Sequence, residues 1–242
     1  MSQHSIDAYD LPQRVASYDS DMDLMHPHRK TMVRVALEVM PFDRAAPIRA
    51  LDLGTGTGYF AERFLACFPN SAVLAIDGAE AMASLAKARL GPLAARVDFR
   101  VGDFRRLPDL TAGSSGLDVV FSSYALHHLD RAEKQAVIRQ AVTLLRPGGW
   151  FLNADLVRAG SPELETRFQA LRVAGIVERA GGRDARFTDD AATRRFLDGL
   201  EANEHDQPLT FPEDLDVLRQ SGLKSTTAFW VEYREMVSGG VA

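Results

Sequence analysis

Between Leu51 and Phe60 the chain reads Leu-Asp-Leu-Gly-Thr-Gly-Thr-Gly-Tyr-Phe. An apolar strand pattern runs into three glycines at alternate positions, and a helix pattern starts directly after them. Glycine adopts torsions closed to other residues, and fixing each one costs extra chain entropy. Three so close together mark a strand-to-helix turn where a ligand approaches the main chain. In an open α/β sheet such a turn lies beyond the carboxyl ends of the strands, the usual ligand crevice. Spacing limits the ligand. The dinucleotide fingerprint is G-x-G-x-x-G, and here Gly58 comes one residue early, with Tyr59 in the third glycine's place. That disfavours a nicotinamide dehydrogenase. The phosphate loop of nucleotide hydrolases needs a Lys that this segment lacks. Asp52, at the leading edge, repels phosphate and suits a ligand with a cationic amino group.

Strand and helix patterns alternate around this loop. Arg29 to Met40 puts Met32, Val35, Ala36 and Val39 on one helical face, and Pro41 ends it. Ile48–Leu53, Ala72–Ile76, Val97–Val101, Leu117–Ser122 and Trp150–Val157 read as buried strands. Between them lie helix patterns at Tyr59–Phe68 and Ala79–Leu90. Another is opened by a capping box, Asp130 with Glu133, and closed at Pro147-Gly148-Gly149. This alternation predicts a parallel sheet with helices on both faces. From Arg158 to Ser221 the composition is helical, broken at Gly160-Ser161-Pro162, Gly181-Gly182 and Gln207-Pro208. Leu223–Tyr233 and Arg234–Val241 return to strand patterning, the last antiparallel. A return to strands predicts an insertion rather than a tandem domain. One domain over 1–242 is therefore expected: a helical leader (1–47), a core (48–157), a helical cap (158–221) and C-terminal strands (222–242).

With those stations in place, the chain resembles the class I S-adenosylmethionine-dependent methyltransferases. Asp52, Gly54, Gly56 and Gly58 match their first motif, an acid followed by G-x-G-x-G. Asp77 ends the second strand, Gly102-Asp103-Phe104 the third, and Leu117-Asp118-Val119-Val120-Phe121-Ser122 resembles the fourth-strand motif. Ala125-Leu126-His127-His128-Leu129 and Leu145-Arg146-Pro147-Gly148-Gly149 resemble the segments that follow. The resemblance covers 48–157 in detail. It implies a Rossmann-like, seven-stranded, mostly parallel α/β sheet. It implies S-adenosyl-L-methionine as cofactor, held by Asp52, Gly54, Thr55, Gly56, Gly58, Asp77, Gly78, Asp103, Phe104 and Ser122. Asp77 would accept hydrogen bonds from the ribose hydroxyls. Asp103 would face the adenine amino group, and Phe104 would stack on the ring or belong to the core.

Methyl transfer is an in-line displacement, so the chain must align two groups and, for some acceptors, supply a base. His127 and His128 are candidates, because imidazole titrates near neutrality. His127 is expected nearer the ligand, its neighbour packing against the next helix. Tyr18, His26 and His28 in the leader are expected to be structural, at the surface. Asp118 is expected to be structural as well. Asp130 and Asp155 make no metal site, so none is expected. Cys67 is the only cysteine. It is expected to be a buried apolar group, and covalent cysteine chemistry and disulfide frameworks drop out.

The acceptor is narrowed by exclusion. Net charge is −5, and Ser122-Ser123-Tyr124-Ala125 is not the Asn/Asp-Pro-Pro-Tyr form of amino-directed nucleic-acid methylases. A small molecule is therefore expected rather than nucleic acid, with contacts from the 158–221 segment. Its arginines (Arg172, Arg179, Arg183, Arg186, Arg194, Arg195) are expected mainly on a solvated face, paired with Glu178, Asp184, Asp189 and Asp190. Two alternatives stay open: an RNA-modifying enzyme or relative of the carboxy-S-adenosylmethionine synthases, and a non-catalytic S-adenosylmethionine-binding module. No apolar run approaches ~18 residues. The start, MSQHSIDAYDLPQR, lacks a basic-then-apolar signal pattern. A cytoplasmic protein retaining Met1 is expected, and a homodimer is compatible with these features.

Overall fold

The computed structural model describes residues 3–242, so Met1 lies outside it. Three leader helices open the chain: α1 (Gln3–Tyr9), α2 (Pro12–Met25) and α3 (Arg29–Val39). Then come β1 (Arg49–Leu53), α4 (Tyr59–Cys67), β2 (Ala72–Asp77), α5 (Glu80–Leu90) and β3 (Val97–Val101). They are followed by α6 (Leu107–Leu110), β4 (Leu117–Ser123), α7 (Arg131–Leu144) and β5 (Leu145–Leu156). The helices α8 (Pro162–Ala180), α9 (Asp190–Glu204) and α10 (Phe211–Gln220) precede β6 (Lys224–Glu232) and β7 (Glu235–Val241).

The seven strands form one sheet in the order β3-β2-β1-β4-β5-β7-β6. β1 to β5 run parallel, and β7 is antiparallel to both β5 and β6. The chain leaves β1 toward one edge and returns at β4 toward the other. The carboxyl ends of β1 and β4 thus flank the switch point where open α/β sheets hold ligands.

Alternation along the strands divides the core. Leu51 and Leu53 pack on the side of α7 and α10, while Ala50, Val119 and Phe121 face α3 and α4. Phe121 stacks on Phe60 at 4.2 Å between centroids. A third, small core joins Val173 and Ile176 of α8, Phe187 and Leu197 to Met25 of the leader. The helices inserted after β5 are thereby fastened to the chain's first helices.

Some details depart from the sequence pattern. β5 starts at Leu145, before the glycine pair, because Leu145 pairs with Leu117 across a register shift in β4. Cys67 is half-buried, with its sulfur against Arg44, rather than enclosed among apolar groups. Asp118 is structural: its carboxylate accepts from the Arg49 amide at 2.9 Å and Arg146 Nε at 2.7 Å.

One buried ion pair ties α7 to α10. Lys134 Nζ meets the Asp214 carboxylate and lies 4.0 Å from Asp155, with all three side chains enclosed. Removing one partner leaves uncompensated buried charge. Lys134→Met is therefore expected to destabilise the fold by about 3–5 kcal/mol in denaturant unfolding, and adding Asp214→Leu to recover part of that loss. A single variant as stable as wild type would contradict this pairing.

Candidate active site

The glycine loop takes its shape from both neighbouring strands. The amides of Gly54 and Thr55 donate to the Ile76 carbonyl at 2.9 and 3.0 Å. Thr55 Oγ1 donates to Asp52 at 2.7 Å. The Gly56 amide donates to Asp77 Oδ2 at 2.7 Å, and the Ala79 amide to Oδ1 at 2.9 Å. Two carboxylates thus stand behind the loop, and among the described residues no lysine or arginine pairs with either. Burial pushes the Asp52 carboxyl up to about 7, Thr55 opposing and Asp77 adding. Burial also pushes Asp77 up to about 6, against the backbone amides that favour its ionised form. A cationic ligand would supply the missing charge.

Two of the loop's glycines differ in what they answer to. A Cβ on Gly54, at φ +72°, would lie 2.3 Å from Ala125 Cβ, so neighbouring chain dictates that glycine. At Gly56, at φ +53°, a Cβ would reach only the Tyr18 hydroxyl, 4.0 Å away across open space. Gly54→Ala is expected to cost about 2–4 kcal/mol, from the left-handed torsion plus overpacking. Gly56→Ala should cost about 1–2 kcal/mol, from the torsion alone. Denaturant unfolding of both variants checks this order, which a less stable Gly56→Ala would reverse.

A cavity opens over the loop, with about 570 Å³ of atom-free space including its mouth. Asp52, Gly54, Thr55, Gly56 and Asp77 line it, together with Tyr9, Tyr18, Arg29, Tyr124 and His128. Gly58 starts α4 just behind, and Gly78 is covered by Ile6. Neither lines the cavity, and three further expected cofactor contacts also lie away from it. Phe104 is fully buried among core residues; Ser122 is enclosed and donates to the Leu53 carbonyl at 2.7 Å. Asp103 binds Arg105 through its guanidinium and its amide. Each satisfies a neighbour in the fold instead of facing the cavity.

The two histidines are also arranged otherwise than expected. His128 lines the cavity, while His127 sits deeper. His127 Nδ1 lies 2.6 Å from Asp155 Oδ1 and its Nε2 3.5 Å from Asp206 Oδ1. Burial opposes charge on this ring, but Asp155 and Asp206 outweigh it and hold its pKa at about 10. His127 is therefore a cation at neutral pH and has no capacity to accept a proton. His128 is pushed the opposite way, by burial and then by the His127 charge. Its Nδ1 is 3.0 Å from Asp206, and its Nε2 3.2 Å from the Tyr9 hydroxyl. His127, His128 and Asp206 also bring three ligand atoms within 4.8 Å of one another, a spacing that fits a metal ion. Asp206 lies after α9, and the sequence offered no sign that it reaches these rings.

The leader contributes more than a surface. Tyr18 and His26 are buried, against expectation. Asp19 on α2 accepts from Thr57 of the loop at 3.0 Å, binds Arg89, and pairs with Arg29 at 2.9 Å. Tyr124, after β4, is held at φ +49°, where a bulky residue costs about 1–3 kcal/mol. Its hydroxyl donates to Glu235 at 2.7 Å. Tyr9, Tyr18 and Tyr124 also border a smaller neighbouring pocket, a throat lined further by His127 and Asp206. The throat in turn shares Met25, His26, Leu156 and Arg172 with another cavity under α8. The arginines of this region are less solvated than expected: Arg172 and Arg194 share Glu201, and Arg186 pairs with Asp21 as well as Asp184.

Residues 50–149 match a family described as a methyltransferase domain. The malonyl-[acyl-carrier protein] O-methyltransferase of Methylococcus capsulatus is 33% identical over 125 residues, 52% of this chain and 43% of that protein. Among solved structures, an O-methyltransferase family protein from Burkholderia thailandensis has a TM-score of 0.68 at 20% identity, over 96% of this chain and 61% of the other. PigF, solved with SAH, has a TM-score of 0.66 at 18% identity, over 99% and 62%. The chain spans less than two thirds of each of these proteins, and the two structural likenesses are of fold. The sheet order and the glycine loop agree with this similarity, which over residues 50–149 is to a methyltransferase domain.

Proposed function

We propose that the protein is an S-adenosylmethionine-dependent methyltransferase that acts on a small molecule held under the α8–α9 cap. One observation carries this reading: the glycine-loop cavity, lined by two buried carboxylates, shares Tyr9, Tyr18 and Tyr124 with the throat, which shares Met25, His26, Leu156 and Arg172 with a second cavity. The SAH in PigF, a protein of the same fold, supports the choice of cofactor. Asp77 would hold the ribose, Asp52 and the loop amides would face the amino-acid portion, and the Arg29 guanidinium would suit its carboxylate. When bound, S-adenosylmethionine supplies a methyl group already activated by its sulfonium. Tyr9, Tyr18 and Tyr124 exclude water at the junction between the cavities. His128, kept neutral by burial and by the cation behind it, accepts the proton of an acceptor hydroxyl or amine. Asp206 beside Nδ1 stabilises the charge that His128 then carries. Among the described residues no helix is long and apolar enough to cross a membrane. A cytoplasmic enzyme, as monomer or homodimer, fits this proposal.

Calorimetric titration with S-adenosylmethionine is the first test, and absence of binding would remove the reading. Asp77→Ala is expected to weaken binding at least about tenfold, as loss of charge-assisted hydrogen bonds predicts. The pH dependence has a definite sign. Asp52 and Asp77 carry protons below about 7 and about 6, and a cationic ligand favours their ionised forms. Affinity should therefore rise about tenfold or more between about pH 5.5 and 8, with protons released on binding. A flat profile would show that these carboxylates do not face the ligand's charge.

For the base, His128→Ala is expected to lower kcat by about 10²–10⁴ with S-adenosylmethionine affinity nearly unchanged. Turnover at saturating cofactor, followed by SAH formation, measures it. Full activity in that variant would assign the proton elsewhere.

A further inference from the structure

The second cavity lies between α8, the end of α2 and the β6–β7 turn, with about 560 Å³ of atom-free space including its mouth. Leu156, Phe168 and Leu171 form an apolar wall, and Phe168 meets Tyr233 edge to face. Arg172, Arg179 and Arg234 stand among them. Arg172 and Arg234 are nearly enclosed, at 12% and 9% side-chain exposure, and cations so deep require anions. The anions present are shared or act at longer range. Glu201 is shared by Arg172, Arg194 and Arg234, and Glu165 lies 2.9 Å from Arg234. Arg179 donates from Nε to the Leu24 carbonyl at 2.7 Å, and among the described residues no carboxylate lies within ion-pair distance of it. Of the remaining acids of the cavity, Glu235 accepts from Tyr124, meets His26 and also acts through its charge on Arg179, and Glu232 meets His28. Burial, then the Arg172 charge, makes Arg234 hold its proton less tightly than an ordinary guanidinium.

Resting on the methyl-transfer reading above, we propose that this cavity binds the anionic end of the acceptor, a carboxylate or other oxyanion on an apolar, aryl-sized body. Guanidinium forks match such oxyanions in pairs of hydrogen bonds. None of the three arginines lines the glycine-loop cavity. The oxyanion is therefore the handle, and the accepting atom is at the opposite end, where Tyr9, Tyr18 and Tyr124 border both the throat and the cavity that His128 lines.

The full chain, alone and saturated with SAH, is titrated with 4-hydroxycinnamate, its methyl ester and 4-hydroxyphenyl phosphate. An anionic probe should bind about tenfold tighter than the ester, as one charge-assisted contact predicts. The tighter of the carboxylate and phosphate probes tells which oxyanion the site takes, and either order supports it. Arg179→Gln should bring the anions and the ester within about threefold, while Arg179→Lys, which keeps the charge, should retain part of the gap. Equal binding of acids and ester, no probe binding below about 1 mM, or full preference in Arg179→Gln would overturn the proposal. Anion preference without S-adenosylmethionine binding would leave the oxyanion site standing and remove the methyl-transfer reading.

Discussion

The arrangement of the site depends on a line of buried charges through the molecule. It runs from Asp214 on α10 to Lys134 on α7, on to Asp155 on β5, then His127, Asp206 and His128. Each charge by itself would lose several kcal/mol of hydration, and only close partners of opposite sign offset that cost. The alternation of sign is what makes the line tolerable. It also makes the members interdependent. His127 is a cation because Asp155 and Asp206 flank it, and His128 is neutral because it is buried and, next, because His127 is charged. Two adjacent residues of one type therefore have different chemistry, set by which carboxylates each one meets.

The fold was legible because its signals are local. Buried parallel strands read as short apolar runs, and helix starts and stops carry caps, glycines and prolines. The Asp130–Glu133 capping box stands where the pattern put it, with both of its hydrogen bonds formed. The loop half of the site was legible for the same reason: Asp52, Gly54, Gly56 and Asp77 are placed by the two strands they end. The other half was not. Asp206 reaches the histidines only because α8 and α9 fold back over the sheet. Tyr18 and His26 are polar residues on a weakly patterned leader, and their burial depends on partners such as Arg29, Glu235 and Tyr124 that lie elsewhere in sequence. No window of sequence contains both members of these pairs.

Charge gives a second example of what composition conceals. A net charge of −5 describes the chain as a whole and counted mildly against nucleic acid. Yet the cavity under α8 gathers three arginines, of which Arg179 has no carboxylate within ion-pair distance among the described residues. Most acids of the chain are spent elsewhere, on caps such as Asp130 and Asp189, on surface pairs, and on the buried line. A local field is set by which charges remain unpaired in a low-dielectric pocket, and the sum over the surface says little about it.

The two halves of the site are built from different materials, and this has a consequence for what can vary. On the loop side, backbone amides and strand-end carboxylates make the contacts, so the geometry follows from the sheet and tolerates few changes. On the cap side, long side chains from the leader, α8, α9 and β7 converge, and each can be exchanged without disturbing the strands. Where they meet, Tyr9 bonds to both His128 and Glu204, and Glu204 in turn binds Arg14 at 2.7 Å. A change in the cap at Glu204 therefore reaches the His128 ring through this hydrogen-bonded chain, and because Tyr9 and His128 also line the glycine-loop cavity, the two halves meet at these two side chains.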